Sequence, residues 1–245
     1  LTENNPVRIN KYLSICGVTS RRGAEKLIEQ QRVTINDHTA KVGELIDSTK
    51  DKVLVDGTEV KPADTHVYVV LNKPSRVMTT LHDPFKRRTV RQLLKRLNAR
   101  VYPIGRLDYD TEGVLLMTND GELAYRLTHP KFQVPRLYEA KVKGKFMERD
   151  SARIAAGIKL EDGARGHARV RILRHDEKSS TIRLVLTEGR KREVKQLCKL
   201  VGHPVVTLTR LEFGGITCRG IESGHWRELT IAEVNNLKGL VGLGK

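Results

Sequence analysis

Apolar residues in the first part of the chain fall at Val7, Ile9, Tyr12, Leu13 and Ile15, a near-helical spacing that Gly17 ends. Ser20 stands where a helix N-cap belongs and predicts a second helix ending near Gln30. After this helix pair, VTIN (33–36) and KVLVDG (52–57) alternate as short strands do. From Val67 the pattern changes. VYVVLN (67–72), VYPI (101–104), GVLLMT (113–118), RLYEAKVKG (136–144), HARVRIL (167–173), STIRLVLTE (180–188) and PVVTLTRLEF (204–213) read as strands. Helices fit TVRQLLKRL (89–97), GELAYRLT (121–128), ERDSARIAAG (148–157), KREVKQLCKLV (191–201) and IAEVNNL (231–237), the last opened by a Thr230/Glu233 capping box. The predicted class is α+β: a small domain of two helices and short strands over 1–65, then a mixed, mostly antiparallel sheet domain over 66–245. A polar hinge around Lys61 to Thr65 joins them, with no internal repeat and no low-complexity linker.

Charge sharpens this division. The 45 Lys and Arg against 29 Asp and Glu leave +16, which suits a polyanionic partner better than a small metabolite. Residues 1–65 carry ten of each sign, so the whole surplus lies beyond them. Even there the signs are sorted, because Arg8, Lys11, Arg21, Arg22, Lys26 and Arg32 come early and form a basic face. At 38% hydrophobic residues the chain can build a core. Cys16, Cys198 and Cys218 are too scattered for a zinc knuckle or a disulfide framework, so a reducing, cytoplasmic setting is expected. No apolar run approaches the roughly eighteen residues needed to cross a bilayer, the first residues are polar, and no aromatic-anchored basic helix suggests a membrane surface.

The most distinctive stretch is PIGRLDYDTEGVLLMTNDGEL (103–123): a strand, a polar loop, a second strand and a helix capped by Asp120. Asp108 and Asp110 sit in that loop, between two strands that fix its position. Taken alone, DYDTEG also reads as a tight turn, whereas an EF-hand calcium loop lacks its ligand spacing and terminal Glu.

The stretch as a whole resembles the catalytic loop of the pseudouridine synthases, in the branch that holds the enzyme of the small ribosomal particle and the B, E and F enzymes of the large one, the B type most of all. Residues 7–57, with VRINKYLSICGVTSRR, AEKLI, RVTIN and VDG, resemble the S4 RNA-binding domain that precedes the catalytic domain in this branch. LNKP (71–74), RLYEAKVKG (136–144) and EGRKREVKQLCKLVGHPVVTLTR (188–210) then follow in family order. The resemblance implies isomerisation of a uridine in ribosomal RNA, of the large subunit, to pseudouridine. The base is detached at N1 and rejoined through C5 without cofactor or metal. By this match Asp108 is the nucleophilic carboxylate, attacking ribose C1′ or uracil C6, and Lys195 is the cation that keeps it ionised. Lys in place of Arg at that position gives up bidentate geometry. Tyr138 corresponds to the tyrosine that stacks on the base and helps move the C5 proton, Arg106 to a residue holding the flipped nucleotide, and Leu208 to the apolar wall of the uracil pocket.

Arg87, Arg88, Arg136, Lys141, Lys143, Arg190, Lys191 and Arg192 are candidates for contacts to RNA phosphates around the cleft, and Arg8, Lys11, Arg21, Arg22 and Lys26 for contacts from the S4 domain. Aromatics are only 4% of residues, so a structured stem-loop fits better than a long single strand, and the protein is expected to act as a monomer. Two residues depart from the family pattern. Arg76 follows KPS where Gly is usual, and Glu193 replaces Gln two residues before Lys195. Residues 1–65 alone leave open a noncatalytic S4-type RNA-binding or ribosome-assembly protein. A DNA-binding regulator is the weaker alternative, because no dimerisation segment is apparent. The joint presence of Asp108, Tyr138 and Lys195 favours the enzyme.

Overall fold

Ser20 caps its helix as the pattern predicts, its Oγ accepting the Gly23 amide at 3.1 Å. In the computed structural model, which describes residues 6–62 and 65–244, the chain forms two units, residues 1–66 and 67–245. Two positions of the expected hinge, Ala63 and Asp64, lie outside the described residues.

The first unit begins with β1 (Val7–Arg8), α1 (Ile9–Ile15) and α2 (Arg21–Glu29). Five short strands follow: β2 (Val33–Ile35), β3 (His38–Thr39), β4 (Leu45–Ile46), β5 (Val53–Val55) and β6 (Thr58–Glu59). They pair antiparallel in the order β3-β2-β5-β6, with β1 on β4 apart. Ile9, Leu13, Ala24, Ile28, Val33, Ile35 and Val53 form the core, so the helices bury one face against the sheet residues. Their other faces carry exposed Lys11, Arg21, Arg22 and Lys26, and Arg8 is exposed just before α1.

The second unit runs β7 (Tyr68–Lys73), α3 (Val90–Leu93), β8 (Tyr102–Pro103), β9 (Thr111–Thr118), α4 (Gly121–Thr128), β10 (Arg136–Lys143) and α5 (Glu148–Ala156). It continues through β11 (Ile158–Lys159), β12 (Arg165–Gly166), β13 (Arg169–His175), β14 (Ser179–Leu186), α6 (Glu193–Leu200), β15 (Val205–Phe213), β16 (Ile216–Thr217), β17 (Trp226–Glu228) and α7 (Ile231–Leu240). The large sheet has the order β13-β14-β10-β15-β9-β7-β17, antiparallel throughout except where β15 runs parallel to β9. Helices α5 and α6 bury Ile154, Val194, Leu197 and Cys198 against Ala140, Ile182 and Leu184. Helices α4 and α7 bury Leu123, Leu127 and Leu237 against Val70, Val114 and Leu116.

The parallel pair is close. Gly113 has φ +98°, and a Cβ there would lie 2.2 Å from the Arg210 carbonyl oxygen, so only glycine lets β9 and β15 meet at this point. One expected helix is shorter than its apolar spacing suggests. TVRQLLKRL is helical only over Val90–Leu93, after which Leu94 and Leu97 donate to residues three back, so the chain leaves the α-helical ladder. Among the described residues no helix is long and apolar enough to cross a membrane.

Candidate active site

The loop from Gly105 to Asp110 is clamped before it reaches β9. Thr79 Oγ1 donates to the Leu107 carbonyl at 2.6 Å, the Arg76 amide donates to the Tyr109 carbonyl at 2.7 Å, and the Thr111 amide closes a turn on the Asp108 carbonyl. Leu107 is buried among Val77, Val90, Leu115 and Met117. An apolar anchor and three backbone-directed bonds thus leave Asp108 and Asp110 at the surface with little freedom to move.

Helix α6 supplies the cation. Val194, Leu197 and Cys198 face the core, and Lys195 projects beside them with its side chain only 13% exposed. Its ammonium stands 3.3 Å from Asp108 Oδ2 and hydrogen-bonds Asp110 Oδ1. Partial burial acts to raise the Asp110 carboxyl. The Lys195 ammonium, with Arg192 nearby, outweighs that and holds it below the usual carboxylate range. Arg192 itself is exposed at the N-cap of α6, with φ +52°.

Beneath the loop lies a second lysine. Lys73, at the end of β7, is fully buried and donates to the carbonyls of Thr111 at 2.8 Å and Pro74 at 3.0 Å. Burial pushes its ammonium down to about 8, against the pull of Asp110, Glu112 and Asp108. This ties the LNKP segment to the first residue of β9, directly after the carboxylates.

Tyr138 lies on β10, half-buried between the apolar cluster under α6 and the one around Leu107. Its register partner on β15 is Arg210, which in turn pairs with Gly113 of β9. Tyr138 is therefore two strands, roughly 9.5 Å, from the strand that follows the aspartate loop. Arg210 is buried, with Nε donating to the Val114 carbonyl at 2.8 Å and Nη1 to the Tyr138 hydroxyl at 3.5 Å.

The remaining expected residues separate into exposed and buried groups. Arg106 is exposed on the loop, and Leu208 is buried between Ala140 and Thr111 in the sheet. Arg190 is held by Glu188 at 2.8 Å and Asp162 at 3.4 Å, and Arg87 by Asp83 at 2.6 Å. Arg88, Lys141, Lys143 and Lys191 are exposed. Arg136 corrects the expectation of a phosphate contact. It is 5% exposed, its Nη1 and Nη2 bond the carbonyls of Thr187 and Leu127, and its guanidinium stacks on Phe213. Burial depresses this guanidinium, which braces the sheet and is not offered to solvent.

Both departures from the family pattern have a structural reading. Arg76 adopts φ +60°, the left-handed conformation that explains the usual glycine and costs a larger residue roughly 1–2 kcal/mol. Glu193 is buried and accepts the Arg190 amide at 3.1 Å, and residues two apart on a helix do not face each other. Its charge is turned into the turn before α6 and not toward Lys195. Burial raises the Glu193 carboxyl above its ordinary range.

The carboxylate pair held by one largely buried lysine belongs to a chain with clear relatives. The family model described as RNA pseudouridylate synthase matches residues 67–200, and that of the S4 domain matches residues 7–51. The chain belongs to the RNA pseudouridine synthase family. It is 39% identical to the ribosomal large subunit pseudouridine synthase B of Bacillus subtilis (strain 168) over 97% of this chain and 98% of the relative. It is 43% identical to an uncharacterized RNA pseudouridine synthase of Aquifex aeolicus (strain VF5) over 97% and 96%. A solved structure described as a pseudouridylate synthase superposes with TM-score 0.69 at 30% identity, covering 94% of this chain and 99% of the other. The family, the α+β class and the S4 domain read from the motifs are thereby shown.

Three residues around this candidate site were given no role by the sequence motifs. Asp110 stood in the same motif as Asp108, but spacing alone does not say which carboxylate takes the lysine. Lys73 was visible in LNKP, and Arg210 as a charged residue inside an apolar strand, the signal that identifies a buried cation. Among the described residues no group of three or more His, Cys, Asp or Glu side chains is placed to hold a metal ion.

Proposed function

We propose that this synthase isomerises a specific uridine of large-subunit ribosomal RNA, with Asp108 as the nucleophilic carboxylate on a flipped-out nucleotide. The observation that carries the reading is the 3.3 Å ion pair of Lys195 with Asp108, in a loop clamped by Arg76 and Thr79. A carboxylate with an ammonium beside it can attack ribose C1′ or uracil C6 and leave again, since that ammonium stabilises the departing anion. Tyr138 stacks on the uracil and helps to transfer the C5 proton, Leu208 forms the apolar wall, and Arg106 holds the extruded nucleotide. Exposed Arg192, Arg88, Lys141, Lys143 and Lys191, with Arg87 and Arg190 released from their acidic partners, contact phosphates flanking a stem-loop. Residues 1–65 serve as the RNA-gripping domain through Arg8, Lys11, Arg21, Arg22 and Lys26, residues 66–245 carry the chemistry, and the protein acts as a monomer in the cytoplasm without a cofactor.

The large-subunit assignment draws support from the B-type names of the relatives in Bacillus subtilis and Salmonella typhimurium, the latter 37% identical over 96% of this chain. Unmodified large- and small-subunit ribosomal RNA transcripts, incubated with the protein and mapped for pseudouridine, test it. A single new pseudouridine in the large-subunit transcript is the expected result, and one confined to the small-subunit transcript overturns the target.

A further inference from the structure

Two arginines are buried side by side in the second unit, and among the described residues no carboxylate stands among their hydrogen-bond partners. Arg136 and Arg210, 5% and 2% exposed, each place Cζ 4.9 Å from the centroid of the same Phe213 ring. The nitrogens of Arg136 are committed to carbonyl oxygens. Only one of those of Arg210 is: Nε bonds the Val114 carbonyl, whereas Nη1 reaches the Tyr138 hydroxyl and Nη2 has no hydrogen-bond partner among the described residues despite being buried. Burying an unpaired cation costs free energy, and a second one beside it costs more. A protein that needs only to tie β15 to β9 can do so with a neutral donor. The charge itself therefore has a use, and among the described residues the only titratable group to which Arg210 donates is the phenol of Tyr138.

We propose that Arg210 is a positioning residue for Tyr138, fixing its hydroxyl and supplying positive charge beside that oxygen while the C5 proton of the rejoined uracil is removed. The inference rests on the reading of Tyr138 as the group that moves this proton. Once C5 has bonded to C1′, the ring holds an N1=C6 double bond and C5 still carries its hydrogen. The C5–H electron pair then becomes the C5=C6 double bond, the N1=C6 pair returns to N1, and N1 takes a proton. Tyr138 relays: its oxygen accepts the C5 proton, and its own proton passes by way of water to N1. No oxidant, reductant or co-reactant is consumed. When the O–H proton leaves ahead of the C5 proton, the oxygen carries negative charge between the two transfers. Arg210 lowers the energy of that interval, and the low-dielectric surroundings strengthen the effect. A neutral donor at the same place could hold the hydroxyl but not compensate the charge.

The test compares Arg210→Lys, which keeps the charge but not the reach, with Arg210→Met, which keeps length and loses charge. Each is also combined with Tyr138→Phe. Ribosomal RNA transcripts are made with ordinary uridine and with uridine deuterated at C5, and single-turnover rates are measured at whichever uridine the unaltered protein converts. Arg210→Lys is the variant expected to fold, and its thermal unfolding and RNA affinity are measured alongside. The expected result is a rate loss of at least tenfold with near-normal RNA affinity, an increased C5 deuterium isotope effect, and no further loss when Arg210→Lys is added to Tyr138→Phe. A loss of the same size in both backgrounds, with an unchanged isotope effect, overturns the inference and leaves Arg210 as a packing residue. Tyr138→Phe proceeding at the normal rate would instead sink the assigned role of Tyr138, and the inference with it.

Discussion

Lys195 is hydrogen-bonded to Asp110, the carboxylate two residues beyond the proposed nucleophile. One ammonium thus serves two acids, and the side chain of Asp110 is the more exposed of them at 63% against 36% for Asp108. An exposed carboxylate is solvated well enough to lose its partner, and Asp110 is not the proposed nucleophile. Asp110→Asn is therefore expected to lower turnover by less than about tenfold, and Lys195→Met by about a hundredfold or more, the scale of removing one stabilising charge from a reacting centre. Single-turnover rates on ribosomal RNA transcripts decide this. If Asp110→Asn is as inactive as Lys195→Met, the lysine acts through Asp110.

Asp108→Asn keeps the size and hydrogen-bonding reach of the side chain but cannot form or release an ester or hold anionic charge. Pseudouridine should be absent from transcripts treated with this variant, while RNA affinity stays close to that of the unaltered protein. Product from a preparation free of wild-type enzyme would remove Asp108 from the role of nucleophile.

Lys73 connects the site to the stability of the fold. Its ammonium is pushed from 10.5 down to about 8 by burial. Between those values the unfolded chain keeps a proton that the folded chain has shed, so the unfolded state binds more protons and stability rises with pH. Below pH 8 both states are protonated and the full burial penalty is present. Lys73→Met cannot titrate, although it leaves the Thr111 and Pro74 carbonyls without their donor. Urea unfolding at pH 7, 8, 9 and 10 should show the gap between the unaltered protein and Lys73→Met shifting toward the unaltered protein above pH 8, by at most about 1.4 kcal/mol per pH unit. A constant gap would mean that the nearby carboxylates keep Lys73 protonated throughout.

What the sequence revealed follows from period. Helices such as α2 and α4 and strands such as β10 and β14 span enough residues for their periodicity to show, and each lies within about two residues of its predicted place. Two-residue strands such as β3 and β16 have no period to read, and β17 is only Trp226–Glu228. They exist because a longer strand offers them a partner, which is a tertiary fact. The motifs named Asp108 and Lys195, which the fold brings to 3.3 Å, whereas charge alone put Arg136 at the surface, because a guanidinium stacked on Phe213 and one facing solvent look the same in sequence. The left-handed φ of Arg76 was foreshadowed by the glycine usual at that position.

The S4 cations lend themselves to a measurement that leaves the full chain intact. Arg21 and Arg22 open α2 and Lys26 lies one turn later, all three exposed while Ala24 and Ile28 face the core. Their removal costs no burial, so Arg21→Gln, Arg22→Gln and Lys26→Gln combined should unfold like the unaltered protein. Each cation that neutralises an RNA phosphate releases a condensed counterion, worth about 0.7 to 0.9 in the slope of log affinity against log salt. If all three make phosphate contacts, the slope should become shallower by about 2 to 3, with weaker binding at low salt and a smaller difference at high salt. Single-turnover rate at saturating protein should stay near normal, since the altered residues lie outside the unit that carries Asp108 and Lys195. Binding isotherms over a salt series, set beside rates at saturation, separate gripping from chemistry. An unchanged slope would place the RNA contacts of this domain on other residues, Arg8 and Lys11 first.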